Sequence, residues 1–147
     1  MASNYPLTGF HFSVRWNPDD EENVSFSEVT GLNVSAAVIE YREGSDPEYT
    51  TLKMPGLKKY NNVTLKRGSM PKDNGFYEWF NSIANNTVKR RDITIMLLNE
   101  EQEEVITWNL KSAFPVKYDG GNLNAAKGEV LIESIELAYE SFEVKRH

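Results

Sequence analysis

Alternating apolar and polar residues recur along most of the chain and predict β-strands. The stretch "FHFSVRW" places its apolar residues, at positions 10, 12, 14 and 16, on one face and its polar residues on the other. The same period of two appears in "VSFSEVTGL" and "NNVTLKRG", and "RRDITIMLLNE" carries Ile93, Ile95 and Leu97 on one face. We also interpret "NVSAAVIEY" and "VITWNLKSAFPVKY" as strands, and Pro115 in the latter indicates a bend, an edge or a bulge. The stretch "EVLIESIELAYESFEV" has the length and glutamate content of a helix. We interpret it as strand, because its glutamates do not collect on one helical face.

A single segment has helical periodicity. Its apolar residues recur every three or four positions, as expected for a short helix of about three turns with one buried face. We predict a helix over residues 72–86, with Asp73 or Asn74 as its N-cap and Asn85 and Asn86 at its end. The stripe consists of Phe76, Trp79, Phe80, Ile83 and Ala84.

These elements predict a mainly antiparallel β-barrel or β-sandwich with one flanking α-helix. The pattern indicates seven or eight strands, with no internal repeat and no linker. Because 147 residues suffice for one hydrophobic core, we expect one domain spanning residues 1–147.

The segment "YREGSDPEYTTLKMPGLKKYNNVTLKRG", residues 41–68, is the least regular part of the chain. Much of it follows neither period, and acidic residues dominate its first part whereas lysine and arginine dominate its second. Gly44 and Gly56 permit sharp backbone turns, and Pro47 and Pro55 stiffen the chain. Because compact domains seldom carry about twenty residues without regular structure, we expect this segment to have a function.

Composition narrows the classes of function. The formal net charge is −6, which argues against nucleic-acid binding through clustered lysine and arginine. The absence of cysteine excludes disulfides, thiolate metal sites and cysteine nucleophiles. The sequence shows no secretory signal and no apolar run of membrane-spanning length, so we expect a chain that is made and folded in a cytoplasm.

No pattern of catalytic or metal-ligating residues stands out. The two histidines, His11 and His147, lie far apart in the sequence, and no phosphate-binding or calcium-binding loop occurs. The acidic clusters "DDEE" (19–22) and "EEQEE" (100–104) fit solvated loop tips better than the paired carboxylates of a glycosidase. The basic group "KRRD" (89–92) is too small for a nucleic-acid patch, and the aromatic spacing favours a core over a sugar site.

Acidic and basic segments that occupy different places favour head-to-tail association of identical subunits, which closes into rings or continues as filaments. A structural subunit is therefore one reading. A free-standing β-sandwich binding module is the alternative, and a small hydrolase with paired carboxylates is a third.

Several stretches together resemble the inner tail tube proteins of contractile phage tails and contractile injection systems. They are "YPLTGFHFSVRW", "FSEVTGL", "YREGSD", "KMPGLKKYNNVTLKRG", "WNLKSAFPVKY" and "EVLIESIELAYE", and they cover the chain from Tyr5 to about Phe142. The resemblance implies a β-barrel with a flanking helix, hexameric rings that stack into a rigid hollow tube, and no catalysed reaction and no cofactor.

The resemblance also implies the partners. These are further copies of the chain, a surrounding sheath protein, baseplate or spike and tube-terminating proteins, and a cargo of protein or DNA in the lumen. The subunit itself would bind neither nucleic acid nor membrane stably. It would be made in a bacterial cytoplasm and assembled into a phage tail, an extracellular particle or a cell-anchored one.

In this family the segment after the "YREG" motif forms an extended arm, which the resemblance places at residues 42–60 between two strands. The arm would contact a neighbouring subunit or ring, and the alternative is a mobile surface loop. The residues carried over to this contact are Tyr41, Arg42, Glu43, Gly44, Pro47, Lys53, Met54, Pro55, Gly56, Leu57 and Tyr60.

Overall fold

The computed structural model describes residues 6–9, 11–16, 26–45, 51–84 and 87–147. Within these ranges the chain forms nine strands and one helix. The strands are β1 (Phe12–Arg15), β2 (Glu28–Thr30), β3 (Val34–Tyr41), β4 (Leu52–Tyr60), β5 (Val63–Gly68), β6 (Arg91–Leu98), β7 (Glu104–Asp119), β8 (Ile132–Ala138) and β9 (Ser141–Arg146). The helix α1 (Gly75–Asn81) lies between β5 and β6.

All strand pairs are antiparallel and form two separate sheets. Seven strands form one sheet in the order β1-β6-β7-β8-β5-β2, in which β9 also pairs with β7, and β3 and β4 form a two-stranded hairpin. This confirms the prediction of a mainly antiparallel β fold with one helix. Residues 100–103 of the acidic "EEQEE" segment lie in the turn between β6 and β7, as predicted, while the acidic loop tip predicted at residues 19–22 lies outside the described residues.

The long strand β7 bends and changes its neighbours along its length. Its first part pairs with β6 and β9, and its second part pairs with β8. Ser112 has a positive φ of 55° at the change, and its backbone N–H donates to Asp92 Oδ1 at 3.0 Å. Pro115 marks a register shift against β8, which confirms the bulge that the sequence indicated. Strands β8 and β9 therefore run end to end along one bent strand.

The hydrophobic core lies between the seven-stranded sheet and the helix. Trp16 and Phe76 pack edge to face with their ring centroids 5.1 Å apart, and Trp79 is also buried. The predicted aromatic core is thereby confirmed. The buried cluster consists of Val14, Trp16, Phe26, Val63, Leu65, Phe76, Trp79, Ile93, Ile95, Leu110, Ala113, Ile135 and Leu137.

The helix is shorter than the predicted range of residues 72–86. Lys72 has a positive φ of 67°, so the helix cannot begin there. Asn74 occupies the N-cap position without a side-chain cap, and Asp73 Oδ1 accepts the Gly75 N–H at 3.1 Å. Beyond Ser82 the backbone of Ala84 pairs with Thr87, which ends the helix; Asn85 and Asn86 lie outside the described residues. The predicted stripe is buried only at Phe76 and Trp79, since Ile83 and Ala84 lie beyond the helix and are exposed.

Arg67 is buried, although the sequence grouped it with the basic residues of the charged segment. Its side chain is 3% exposed, and its Nε lies 2.7 Å from Oε1 of Glu133, which is 6% exposed. Nη2 of Arg67 lies 3.1 Å from Asp73 Oδ1, and the guanidinium stacks 4.0 Å above the Phe76 ring centroid. One arginine therefore joins β5, β8 and the segment that leads into the helix. The strand predicted at "NNVTLKRG" is confirmed as β5, but Arg67 lies on its buried side with Val63 and Leu65.

The same pair affects Tyr118 on β7. Its hydroxyl lies 3.5 Å from Glu133 Oε2, and burial, followed by the negative charge of Glu133, raises the pKa of Tyr118 above its ordinary value. The neutral phenol is thus favoured beside the carboxylate.

No helix within the described ranges is long and apolar enough to cross a bilayer.

We expect Arg67→Leu to lower the free energy of unfolding by about 3–5 kcal/mol, because the change leaves Glu133 buried without its charge partner. Urea denaturation measures this. Lys66→Met is the matched control, since Lys66 pairs with Glu28 at 3.5 Å on the exposed face of the same strand. That change should cost less than about 1 kcal/mol. Equal losses in the two variants would contradict the assigned role of Arg67.

Candidate functional site

The β3–β4 hairpin is the candidate interaction site. Its strands pair from Val34↔Tyr60 at the base to Tyr41↔Leu52 near the tip, and neither strand joins the seven-stranded sheet. Every residue of β3 is exposed, and β4 is exposed except at two half-buried positions. The hairpin therefore projects from the fold with little covering from it.

A bulge bends the hairpin in its middle. The register shifts between Ala36 and Val38, and Gly56 packs closely against Ala37 at this point. A Cβ atom at Gly56 would come within 3.1 Å of the Ala37 carbonyl oxygen, so the glycine permits a close backbone approach. Pro55 lies beside the bulge, at a position where a strand tolerates the loss of an N–H donor.

One face of the outer hairpin is apolar and exposed. Ile39 pairs with Met54, and Tyr41 pairs with Leu52, so these four side chains lie on the same face. Their exposed fractions range from 39% for Met54 to 61% for Leu52, and Leu57 near the bulge is 87% exposed. A contiguous group of exposed large apolar side chains marks an interaction surface.

The charges of the hairpin alternate with these apolar residues. Glu40 lies directly opposite Lys53, and Lys58 and Lys59 follow towards the base. In the described part of the hairpin, residues 34–45 and 51–60, lysine and arginine outnumber glutamate by four to two. The two further acids of this segment, at positions 46 and 48, lie outside the described residues.

The outer edges of the hairpin offer backbone hydrogen-bonding groups. Strands β3 and β4 pair with each other and with no other described strand, so each has an edge open to a partner. A two-stranded hairpin without a third strand or a packed face is only marginally stable in water. Both properties favour a partner that covers the hairpin.

The base of the hairpin is fixed to the sheet. The Asn61 backbone N–H donates to the Asn33 carbonyl oxygen at 3.2 Å, and the Tyr60 ring packs edge to face against Phe142 at 5.1 Å and Tyr139 at 6.0 Å. Gly31, with a φ of 94°, lies so close to the Asn62 carbonyl oxygen that a side chain would collide with it. The chain therefore leaves the sheet after β2 and returns to it at β5 through one fixed point at the base of the hairpin.

The structure brings most of the sequence-predicted arm residues together on this hairpin. Tyr41 ends β3, residues 42–44 lead into the turn, and residues 53–57 lie in β4. Tyr60 differs from the others, because its half-buried ring belongs to the base. Pro47 lies outside the described residues.

Sequence reasoning missed the contribution of β3. The sequence predicts "NVSAAVIEY" as one of the strands of the β fold, whereas it forms half of the separate hairpin and exposes Val38 and Ile39. The available signal was the run "AAVI", in which neighbouring residues are all apolar, so that neither face of the strand is polar throughout.

The titratable groups outside the hairpin form no comparable site. His11 Nε2 lies 2.8 Å from Gln102 Nε2, and His147 Nε2 lies 3.1 Å from Thr107 Oγ1. In the part of the chain that the structure describes, no group of three or more His, Asp or Glu side chains could hold a metal ion.

Comparison with known proteins gives one family and several similar structures. The family described as T4-like virus tail tube protein gp19 matches residues 8–143. No curated protein sequence matches the chain. A chain in the structure of the anti-feeding prophage cap, the AFP tube-terminating cap, is 32% identical, with a TM-score of 0.89 over 100% of this chain and 95% of that chain.

Two further structures are similar to the chain at different levels of sequence identity. A chain of the sheath–tube complex of an extracellular contractile injection system, PVC, in its extended state is 32% identical, with a TM-score of 0.88 over 98% of this chain and 94% of the other. Hcp1 from Flavobacterium johnsoniae is 16% identical, with a TM-score of 0.57 over 94% of this chain and 97% of that chain. The last similarity concerns the fold alone.

We expect the fold to survive removal of the hairpin. Residues 35–59 can be replaced by Asn-Gly, a two-residue hairpin turn, because Val34 and Tyr60 already pair across the base. The free energy of unfolding should change by no more than about 1 kcal/mol, since the removed side chains are largely exposed. Thermal and urea denaturation of the dilute variant measure this, and a variant that cannot fold would contradict the separation of hairpin and sheet.

Proposed function

The chain belongs to the T4-like virus tail tube protein gp19 family, and we propose that its copies form hexameric rings that stack into the hollow inner tube of a contractile injection particle. The matched proteins are structural tube proteins, and this chain is likewise a structural tube subunit and not an enzyme. The proposal treats residues 1–147 as one tail-tube domain.

The proposed partners follow from the assemblies in which the similar chains occur. Those assemblies are a sheath–tube complex, a sheath and tube terminator, a prophage baseplate and a tube-terminating cap. By analogy, this tube would lie inside a sheath and contact a baseplate at one end and a terminator at the other. Its location would then be an assembled extracellular particle, with cargo in the lumen.

The uncovered β3–β4 hairpin is the observation that carries the proposal. An exposed apolar face, two open strand edges and a fixed base suit a segment that becomes covered by another subunit. Met54 and Leu57 would insert into apolar surface of the neighbour, and Lys53 would meet acidic groups there. Arg42, Glu43 and Gly44 would set the direction of the turn, and Pro47, Pro55 and Gly56 would limit the conformations that the hairpin loses on docking.

The alternative of a free-standing binding module fits less well. A binding module needs a concave site with convergent polar groups, whereas the exposed apolar residues here lie on a projecting hairpin. The full-length similarity to tube chains also leaves no separate segment for a binding function.

Electron microscopy of the purified chain tests the proposal. The wild type should form rings and hollow tubes in negative stain, while the variant in which Asn-Gly replaces residues 35–59 should remain as folded subunits or single rings. Lys145→Glu is the control, because Lys145 is exposed on β9, away from the hairpin. The control should assemble like the wild type. Tubes of normal length from the hairpin-less variant would contradict the role of the hairpin, and a wild type that stays monomeric would contradict the tube proposal.

A further inference from the structure

A cavity of about 170 Å³ lies beside the helix and away from the hairpin. Its walls come from the residue that follows β1, from α1 and from the chain that leads into β6, and they include the indoles of Trp16 and Trp79. A cavity of about 150 Å³ is large enough to hold benzene, whereas drug-sized ligands need about 300–1,000 Å³. This cavity therefore has room for one small molecule.

One wall of the cavity carries a buried hydrogen-bond donor without an acceptor. Trp16 is 4% exposed, and within the described ranges its buried Nε1–H donates to no group. The edge of the indole that carries Nε1 and Cζ2 adjoins Gly75, which also lines the cavity, since a Cβ atom at Gly75 would come within 3.1 Å of Cζ2. Buried indole N–H groups are usually paired, so an acceptor inside the cavity would complete this one.

The second indole, that of Trp79, is paired and held in place. Its Nε1 donates to the Lys89 carbonyl oxygen at 3.0 Å, and the Trp79 carbonyl oxygen accepts from the Ser82 hydroxyl at 2.5 Å. The ring centroids of Trp16 and Trp79 lie 6.0 Å apart, with the rings tilted by 34°. Fixed aromatic walls of this kind bind a flat apolar body at low cost in conformational entropy.

The charged residues at the cavity favour an anion with a single negative charge. The guanidinium carbon of Arg91 lies 4.5 Å from the Trp79 ring centroid and 5.3 Å from the Trp16 ring centroid. Lys89 and Glu78 also line the cavity, so two basic residues and one acidic residue leave one positive charge among its described residues. An N–H donor bonds an anionic acceptor about twice as strongly as a neutral one.

We propose that this cavity binds a small aromatic carboxylate. The ring of the ligand would lie against the two indoles, and its carboxylate would accept the Nε1–H of Trp16 on the positively charged side of the cavity. A doubly charged anion such as phosphate fits less well, because the indole walls are apolar and Glu78 lines the same cavity. The residues that form the site lie outside the hairpin, so the proposal adds a ligand to the subunit and does not rest on the tube function.

Benzoate is the probe, and saturation-transfer difference NMR measures its binding to single subunits and to assembled tubes alike. We expect saturable binding with a dissociation constant of about 0.1–10 mM, as is usual for a ligand of this size. Benzyl alcohol, which has the same ring without the charge, is the matched control ligand and should bind about tenfold more weakly. Equal affinities would overturn the assignment of a carboxylate, and a lack of saturable benzoate binding would overturn the site.

Trp16→Phe tests the unpaired donor, because the change keeps an aromatic wall and removes the N–H. The preference for benzoate over benzyl alcohol should fall by about fivefold or more, since a hydrogen bond to a charged acceptor contributes more than one to a neutral acceptor. A loss of packing alone would weaken both ligands equally. A preference that stays unchanged in the folded variant would contradict the role of Trp16.

A variant at an exposed position gives a second test that leaves the core intact. Lys89→Gln should weaken benzoate binding by roughly two- to fivefold and leave benzyl alcohol binding unchanged, because it removes one exposed charge at the cavity. Lys145→Gln is the matched control, since Lys145 is also exposed but does not line the cavity. Equal benzoate affinities in the two variants would contradict the proposal. Tubes that form normally but bind no benzoate would overturn the ligand site and leave the tube function standing.

Discussion

The ion pair of Arg67 and Glu133 is the interaction on which the arrangement of the fold depends. It lies where β5 and β8 pair, and the guanidinium also stacks on Phe76 and reaches Asp73 at the start of the helix. Two buried charges cost several kcal/mol each in desolvation, so such a pair persists only where hydrogen bonds and aromatic contacts compensate it. Here these contacts join two strands, the helix and the segment that carries Met70. They give the subunit a rigid body.

The hairpin differs from this rigid body, because its side chains are mostly exposed. In the part of the chain that the structure describes, its apolar side chains are exposed and its strand edges pair with no further strand. Such features are stabilised when another chain covers them. The contacts of Asn33, Tyr60 and Asn61 at its base connect the hairpin to the rigid body. The proposed tube would use both properties, because the rigid body would keep its shape while each hairpin bridged to a neighbour.

The sequence predicts where the strands lie along the chain better than it predicts which strands pair with each other. Alternation identified the strands around Val14, Ile95 and Ile135, because a half-buried strand leaves a period of two whatever it pairs with. The same period could not reveal that β3 leaves the sheet for the hairpin, since pairing between distant segments leaves no local mark. The resemblance to tail tube proteins supplied the arm, and the structure gives it the form of a hairpin with β3 as its other strand.

The sequence also could not show which charged side chains are buried. In "TLKRG", Lys66 and Arg67 are adjacent and look alike, yet Lys66 pairs with an exposed glutamate and Arg67 lies in the core. Only the register between β5 and β8, which sets Arg67 opposite Glu133, distinguishes them. The two ends of the helix are equally hidden in the sequence, because the start depends on the backbone at Lys72 and the end on the pairing of Ala84 with Thr87.

The hairpin is uncovered in the single subunit, and the proposed tube would cover it. Hydrogen–deuterium exchange of the same preparation, in dilute subunits and in assembled tubes, measures this most directly. Amides of β5 and β8 should be protected in both states, whereas amides of β3 and β4 should exchange quickly in the subunit and become strongly protected in the tube. Equal exchange of the hairpin amides in the two states would contradict the account.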